Sequence, residues 1–144
     1  MNVGRNEILI GVAVLVVATM IAAPMLISGR KSDRVGEVEA NVEAIRQAEL
    51  QYHDAFGEYV SAEAAPRPAY QVDPNPIPWK PTDGFRKLAW APESTEVVGS
   101  YSVQADGAGF KVTGSCDVDG DGQRATFEAT HEVEAHATSP AGVY

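Results

Sequence analysis

The densest chemistry in this 144-residue chain lies near its C-terminal end, in the run Asp117-Val118-Asp119-Gly120-Asp121-Gly122, with Glu128 following after five more residues. That is the D-x-D-x-D-G-x5-E spacing, which gathers hard carboxylate oxygens around a calcium ion. Asp117, Asp119, Asp121, Gln123 and Glu128 are the candidate ligands, and Ca2+ is the candidate cofactor; nothing else in the chain requires one. The flanks read as strands, Arg124 stands where such a calcium loop carries an aliphatic residue, and a strand would restrain Glu128. The alternative is a tight hairpin turn, where Asp and Gly serve for backbone tolerance and solvation. Three carboxylates within five residues repel one another unless solvent, a Lys or Arg, or a cation neutralises them.

No catalytic set emerges, and the expectation is that the protein is not an enzyme. His53 falls on the outer side of a helix, and His131 and His136 fall near a polar tail, none with a nucleophile or second ligand at useful spacing. Cys116 is the single cysteine, so no intrachain disulfide can form. It alternates in phase with Phe110, Val112 and Gly114, which predicts a buried, inert thiol on the inward face of a strand.

The elements that would position these residues begin with one long helix of two characters. Ile8 to Ile27 is about twenty residues without a charge, roughly 30 Å as a helix, the thickness of a bilayer's hydrocarbon core. Past Arg30, Lys31 and Arg34 the pattern turns periodic. Val35, Val38, Val42, Ile45, Tyr52, Phe56 and Tyr59 step mostly by three and four, with a break at Glu49 that Ala48 partly fills. Pro24, with Gly11, Ser28 and Gly29, predicts a bend or melted turn late in the apolar half. Gly57 weakens the helix at its far end.

From 61 to 83 the chain carries Pro66, Pro68, Pro74, Pro76, Pro78 and Pro81, which excludes helix interior and central strand. Tyr70, Ile77 and Trp79 supply apolar anchors, so this is an ordered loop, either a partner surface or a segment packed over the sheet edge. Gly84 to Trp90 fits one or two helical turns, capped by Asp83, burying Phe85, Leu88 and Trp90. Three alternating runs follow, one through Tyr101 and Val103, one from Phe110 to Cys116, and one through Ala125, Phe127 and Ala129, with His131 a marginal addition. The fold class is α+β: a long N-terminal helix, apolar then amphipathic, packed on an antiparallel sheet of three to four strands. The domains are an apolar helix with a leader-like start over 1–30 and a head over 31–144. Within the head, 31–60 is amphipathic helix, 61–83 loop, 84–131 short helix and sheet, and 132–144 an acidic, then Ala/Ser/Pro-rich tail.

The front end resembles the type IV pilin and pseudopilin family. The resemblance rests on Glu7 at the head of the apolar helix and Pro24 within it, and continues through EAIRQAELQYHDAFGEYV (Glu43 to Val60), GFRKLAWAPE (Gly84 to Glu93) and CDVDGDGQRATFEAT (Cys116 to Thr130). It implies a leader cut after Gly4 with methylation of the new terminus, although Arg5 stands where the family carries an apolar residue. It implies that Glu7 pairs with the amino terminus of a neighbouring subunit, and that the Pro24–Gly29 region loosens on assembly. The alternative for Glu7 places it at a lipid interface beside its own helix's positive end.

Net charge is −9, and nine acidic residues from Trp90 onward face only Lys111 and Arg124. Such a field repels phosphate backbones, so nucleic acid is not an expected partner. The function implied by the resemblance is structural: a subunit of a type IV pilus or related filament, assembling through its N-terminal helix with its copies or other pilins. The roles open to it are adhesion, motility or secretion. The expected localisation is the bacterial inner membrane, as a single-pass protein, and then the extracellular filament. Arg30, Lys31 and Arg34 bias the head toward the cytoplasm, whereas the resemblance implies the opposite. A secretion-system pseudopilin, a non-polymerising anchored binding domain and a cleaved secretory signal are the alternatives.

Overall fold

In the computed structural model, backbone is described for 5–144 and side chains from Lys31 onward. Helix α1 spans Arg5–Phe56, 52 residues. The strands are β1 (Ala62–Ala65), β2 (Ile77–Pro78), β3 (Glu96–Val97), β4 (Ser100–Ala105), β5 (Phe110–Cys116), β6 (Ala125–Thr130) and β7 (His136–Ala137), and a short helix α2 covers Asp83–Lys87.

Periodicity explains the main packing. Side chains three and four apart on a helix share a face, and Val38, Val42 and Ile45 have no exposed surface, with Val35, Leu50 and Tyr52 packed beside them. Their counterpart is the inward face of β4–β6, where Tyr101, Val103, Phe110, Val112, Cys116, Ala125, Phe127 and Ala129 are buried on alternate positions. The sheet runs in the order β1-β4-β5-β6-β7, each pair antiparallel, and α1 lies across β5 and β6. Gly114, opposite Tyr101 on one side and Phe127 on the other, lies directly under α1. A Cβ there would lie 2.4 Å from Val42 Cγ2. Above the contact, Asn41 Nδ2 donates to the Tyr101 hydroxyl at 2.9 Å.

The sheet has five strands, with a separate β2–β3 ribbon, where three to four were expected. The additions are short. β1 lies at the start of the proline-rich segment but at the sheet edge, and β7 draws the tail onto β6, while the Tyr144 carbonyl accepts from Val118 N at 3.1 Å. The proline-rich segment is pinned, because the nearly buried Arg67 guanidinium donates to the carbonyls of Asn75 (3.0 Å) and Val98 (3.1 Å) and pairs with Asp73. Trp79 enters an aromatic cluster with Phe85, Trp90 and Tyr101, whereas Tyr70 is 73% exposed. The N-cap of α2 is Thr82, one residue before the expected Asp83, and the Thr82 hydroxyl donates to Glu63 O at 3.0 Å.

Three expectations for α1 need correction. Glu49 is no break in the stripe: it is in phase with Val42 and Ile45 and wholly buried. Phe56, expected on the inner face, is 69% exposed, its ring lying against Tyr52 with centroids 4.5 Å apart. The transmembrane helix and membrane assignment, with the inner-membrane and extracellular localisation built on it, is overturned: among the described residues no helix is long and apolar enough to cross a membrane. From Lys31 the helix carries Asp33, Arg34, Glu37, Glu39, Glu43, Arg46 and Glu49, at least one charge per turn, and its apolar positions are spent on the sheet. Side chains of 8–27 lie outside the described residues. So do the side chains of Glu7 and Pro24, the burial of Gly29 and the whole of Gly4, the residues assigned to assembly and leader cleavage.

Candidate functional site

The aspartate run forms the connection between β5 and β6, two strands held in continuous antiparallel register from Cys116↔Ala125 to Lys111↔Thr130. Gly120 and Gly122 adopt φ of +74° and +85°, a region where L side chains are strained. The aspartates organise this turn. Asp117 is buried, and its Oδ1 accepts from Gly120 N at 2.8 Å while its Oδ2 accepts from Gly122 N at 3.0 Å. Asp119 Oδ1 accepts from Asp121 N at 3.4 Å, and Asp121 Oδ1 from Gln123 N at 2.7 Å. Much of the carboxylate capacity therefore holds the backbone, as the hairpin-turn alternative required.

The same geometry leaves Asp117, Asp119 and Asp121 each with a carboxylate oxygen, all within 4.8 Å of one another. Oxygen donors so placed are a partial ligand set for a divalent cation. Glu128 is not among the converging carboxylates. Gln123, which in such a loop ligates through its main-chain carbonyl, donates its side-chain amide to Asp121 Oδ2 at 3.1 Å. Glu128 is fixed in β6 and accepts from Lys111 Nζ at 3.2 Å, the restraint a strand imposes.

Two neighbours were invisible to motif reasoning. Lys31 Nζ lies 3.7 Å from Asp119 Oδ2, placing an ammonium beside the mutually repelling carboxylates. Arg34 donates to Pro74 O at 3.1 Å, and Pro74 packs against Gly120. The turn is thus wedged between α1 and the proline-rich segment. Separations of tens of residues left no local signal for either contact.

The histidines are placed apart from this turn. His53, expected on the outer side of α1, is half-buried and stacked on Tyr59 with ring centroids 4.3 Å apart. His131 lies against Phe110 and Tyr59 with Nε2 3.8 Å from Glu132, and His136 is exposed on β7. Burial pushes the Cys116 thiol up to about 12, with the adjacent Asp117 charge adding to it. Comparison with known proteins identifies no relative: no known family, curated protein or solved structure matches the chain.

Proposed function

We propose that the protein is a structural subunit of a type IV pilin-like filament, non-enzymatic and self-associating through α1. One observation carries the reading: a single 52-residue helix whose C-terminal half is committed to the sheet, while its N-terminal half has an uncharged sequence from Ile8 to Ile27. A run of that length and composition gains free energy by leaving water at about 25 cal/mol per Å2 of apolar surface, and copies of the same helix are a self-complementary cover. Glu7, alone in that half apart from Arg5 and Arg30 as a charged residue, is the group that sets axial register by pairing with a neighbour's amino terminus, since an apolar bundle tolerates a charge only when it is paired. The Pro24–Gly29 region supplies the adjustable turn.

The full-length chain should form fibres visible by negative-stain electron microscopy and sedimenting rapidly, and Glu7→Ala should leave only small species with unchanged circular dichroism. Wild-type protein that stays monodisperse at every concentration, or a Glu7→Ala variant that still makes normal fibres, counts against it.

A second reading concerns the β5–β6 turn. There Ca2+ is held by Asp117, Asp119 and Asp121 with water completing its shell, supported by the convergence of the three carboxylates. A cation at this wedge would tie together the start of the packed part of α1, the proline-rich segment and the sheet.

A further inference from the structure

Glu49 is the only carboxylate with no exposed surface among the described residues. Its Oε2 accepts from Val60 N at 2.9 Å, while its Oε1 is buried without a partner. Between the two residues the chain reverses direction at Gly57, φ +75°, directly after α1. A buried carboxylic acid is not there for cheap stability, because desolvation of the ionised form costs more than one hydrogen bond returns.

Its surroundings offer little to stabilise a charge. The nearest cation, Lys87 at the end of α2, is already paired with Glu58 at 2.8 Å and sits over the Tyr52 ring. The inward side chains of β5 and β6 are apolar apart from the Cys116 thiol, which burial keeps neutral. β1 turns Ala62 and Ala65 inward, and β4 contributes the Tyr101 phenol, likewise pushed up by burial and held by Asn41. His131 borders Phe110 and Tyr59 at the edge of this region.

We propose that Glu49 and the Val60 amide form a pH-operated latch on the chain reversal after α1, closed while Glu49 is a neutral acid and released as it ionises. In the neutral acid one oxygen keeps the Val60 bond and the other carries the proton. Once ionised, the group has a single donor for two charged oxygens, and it reaches water by displacement of the segment from Gly57 to Val60, against the Glu58–Lys87 pair and the packing of Tyr59 and Val60. Release withdraws Tyr59 from its stacking with His53 and its contact with Phe110 and loosens the entry to β1. The surface that changes is therefore the C-terminal end of α1, around the exposed Phe56.

The direction follows from linkage. Burial pushes the Glu49 carboxyl from 4.5 up to about 7, against the opposing pull of the Val60 hydrogen bond and the Lys87 charge. The latch is then firmest below pH 4.5, where open and closed forms are both protonated. It weakens about tenfold per pH unit up to about pH 7 and levels off above.

Amide hydrogen exchange on the full chain between pH 4.5 and 8, corrected for the intrinsic rate, tests this. Protection at Val60 should fall on the order of a hundredfold by pH 7, while Val112 in β5 stays protected. Glu49→Gln keeps the acceptor and should make Val60 protection independent of pH. The proposal is overturned by a flat profile in the wild type, by the same slope in Glu49→Gln, or by parallel loss at Val112, which would mean global unfolding. Should the variant not fold, carbon-13 titration of the wild-type Glu49 carboxyl decides: a midpoint near neutrality supports the latch, and an ordinary glutamate midpoint removes it.

Discussion

Gly114→Ala is the smallest perturbation that tests how α1 meets the sheet. Its added Cβ would lie 2.4 Å from Val42 Cγ2 and 3.2 Å from Val38 Cγ1, against about 3.5–4.0 Å for carbon atoms in favourable contact. Relieving the first contact takes a shift of somewhat more than 1 Å. Valine in a helix has one strongly preferred rotamer, so the strain falls on the helix position instead of a side-chain rotation. Overpacking of this kind costs about 1–3 kcal/mol. For a chain of 144 residues each kcal/mol is worth roughly 3–5 °C, so thermal unfolding followed by circular dichroism should drop by roughly 3–15 °C. The control is a double-mutant cycle. Val42→Ala alone should destabilise by about 2 kcal/mol through lost burial and a cavity. Combined with Gly114→Ala it should cost at least about 1 kcal/mol less than the sum, since each change makes room for the other. An unchanged melting temperature for Gly114→Ala, or strict additivity, would refute the claim that this glycine sets the helix-to-sheet distance.

Millimolar Ca2+ should raise the melting temperature of the full chain, by the equivalent of about 2.7 kcal/mol at a hundredfold excess over Kd. Asp119→Ala should remove the rise and Lys31→Gln should enlarge it, because the ammonium competes with the cation; identical melting curves with and without Ca2+ retire the site. Cys116, with its thiol pushed up to about 12, should resist alkylation at pH 8 until the chain unfolds, and labelling of native protein within minutes would contradict its burial. Arg67→Ala leaves the Asn75 and Val98 carbonyls without their guanidinium donor and should cost about 1–3 kcal/mol in chemical denaturation. A change below about 0.5 kcal/mol would mean that the proline-rich segment is held by other contacts.

Legibility in the sequence tracked how local the deciding physics was. The alternation through Phe110, Val112, Gly114 and Cys116 required one buried face, and the structure buries these side chains toward α1. The Val38–Val42–Ile45 stripe was readable for the same reason. Glu49 was not legible because its polarity argues against the buried position it takes: it lies one turn beyond Ile45 on the same face, and the Val60 amide supplies one partner for it there. β7 was unreadable because two exposed residues carry no alternation and become a strand only when Phe127 and Glu128 offer them partners. At the aspartate turn the motif located the three carboxylates, but it also enrolled Glu128, which β6 holds against Lys111.

By itself, then, the sequence determined the class of the fold, the Val38–Val42–Ile45 stripe of α1, the inward faces of β4 to β6, and the place of the acidic turn, since periodicity and turn chemistry act over a few residues. Tertiary structure alone decided that Lys31 meets Asp119, that Glu43 accepts from Ala135 N at 2.9 Å, that the edge strands form, and that a glutamate is sealed in the core. Those outcomes depend on which distant segments share a small volume. There, desolvation and partner geometry outweigh the preferences any residue carries alone.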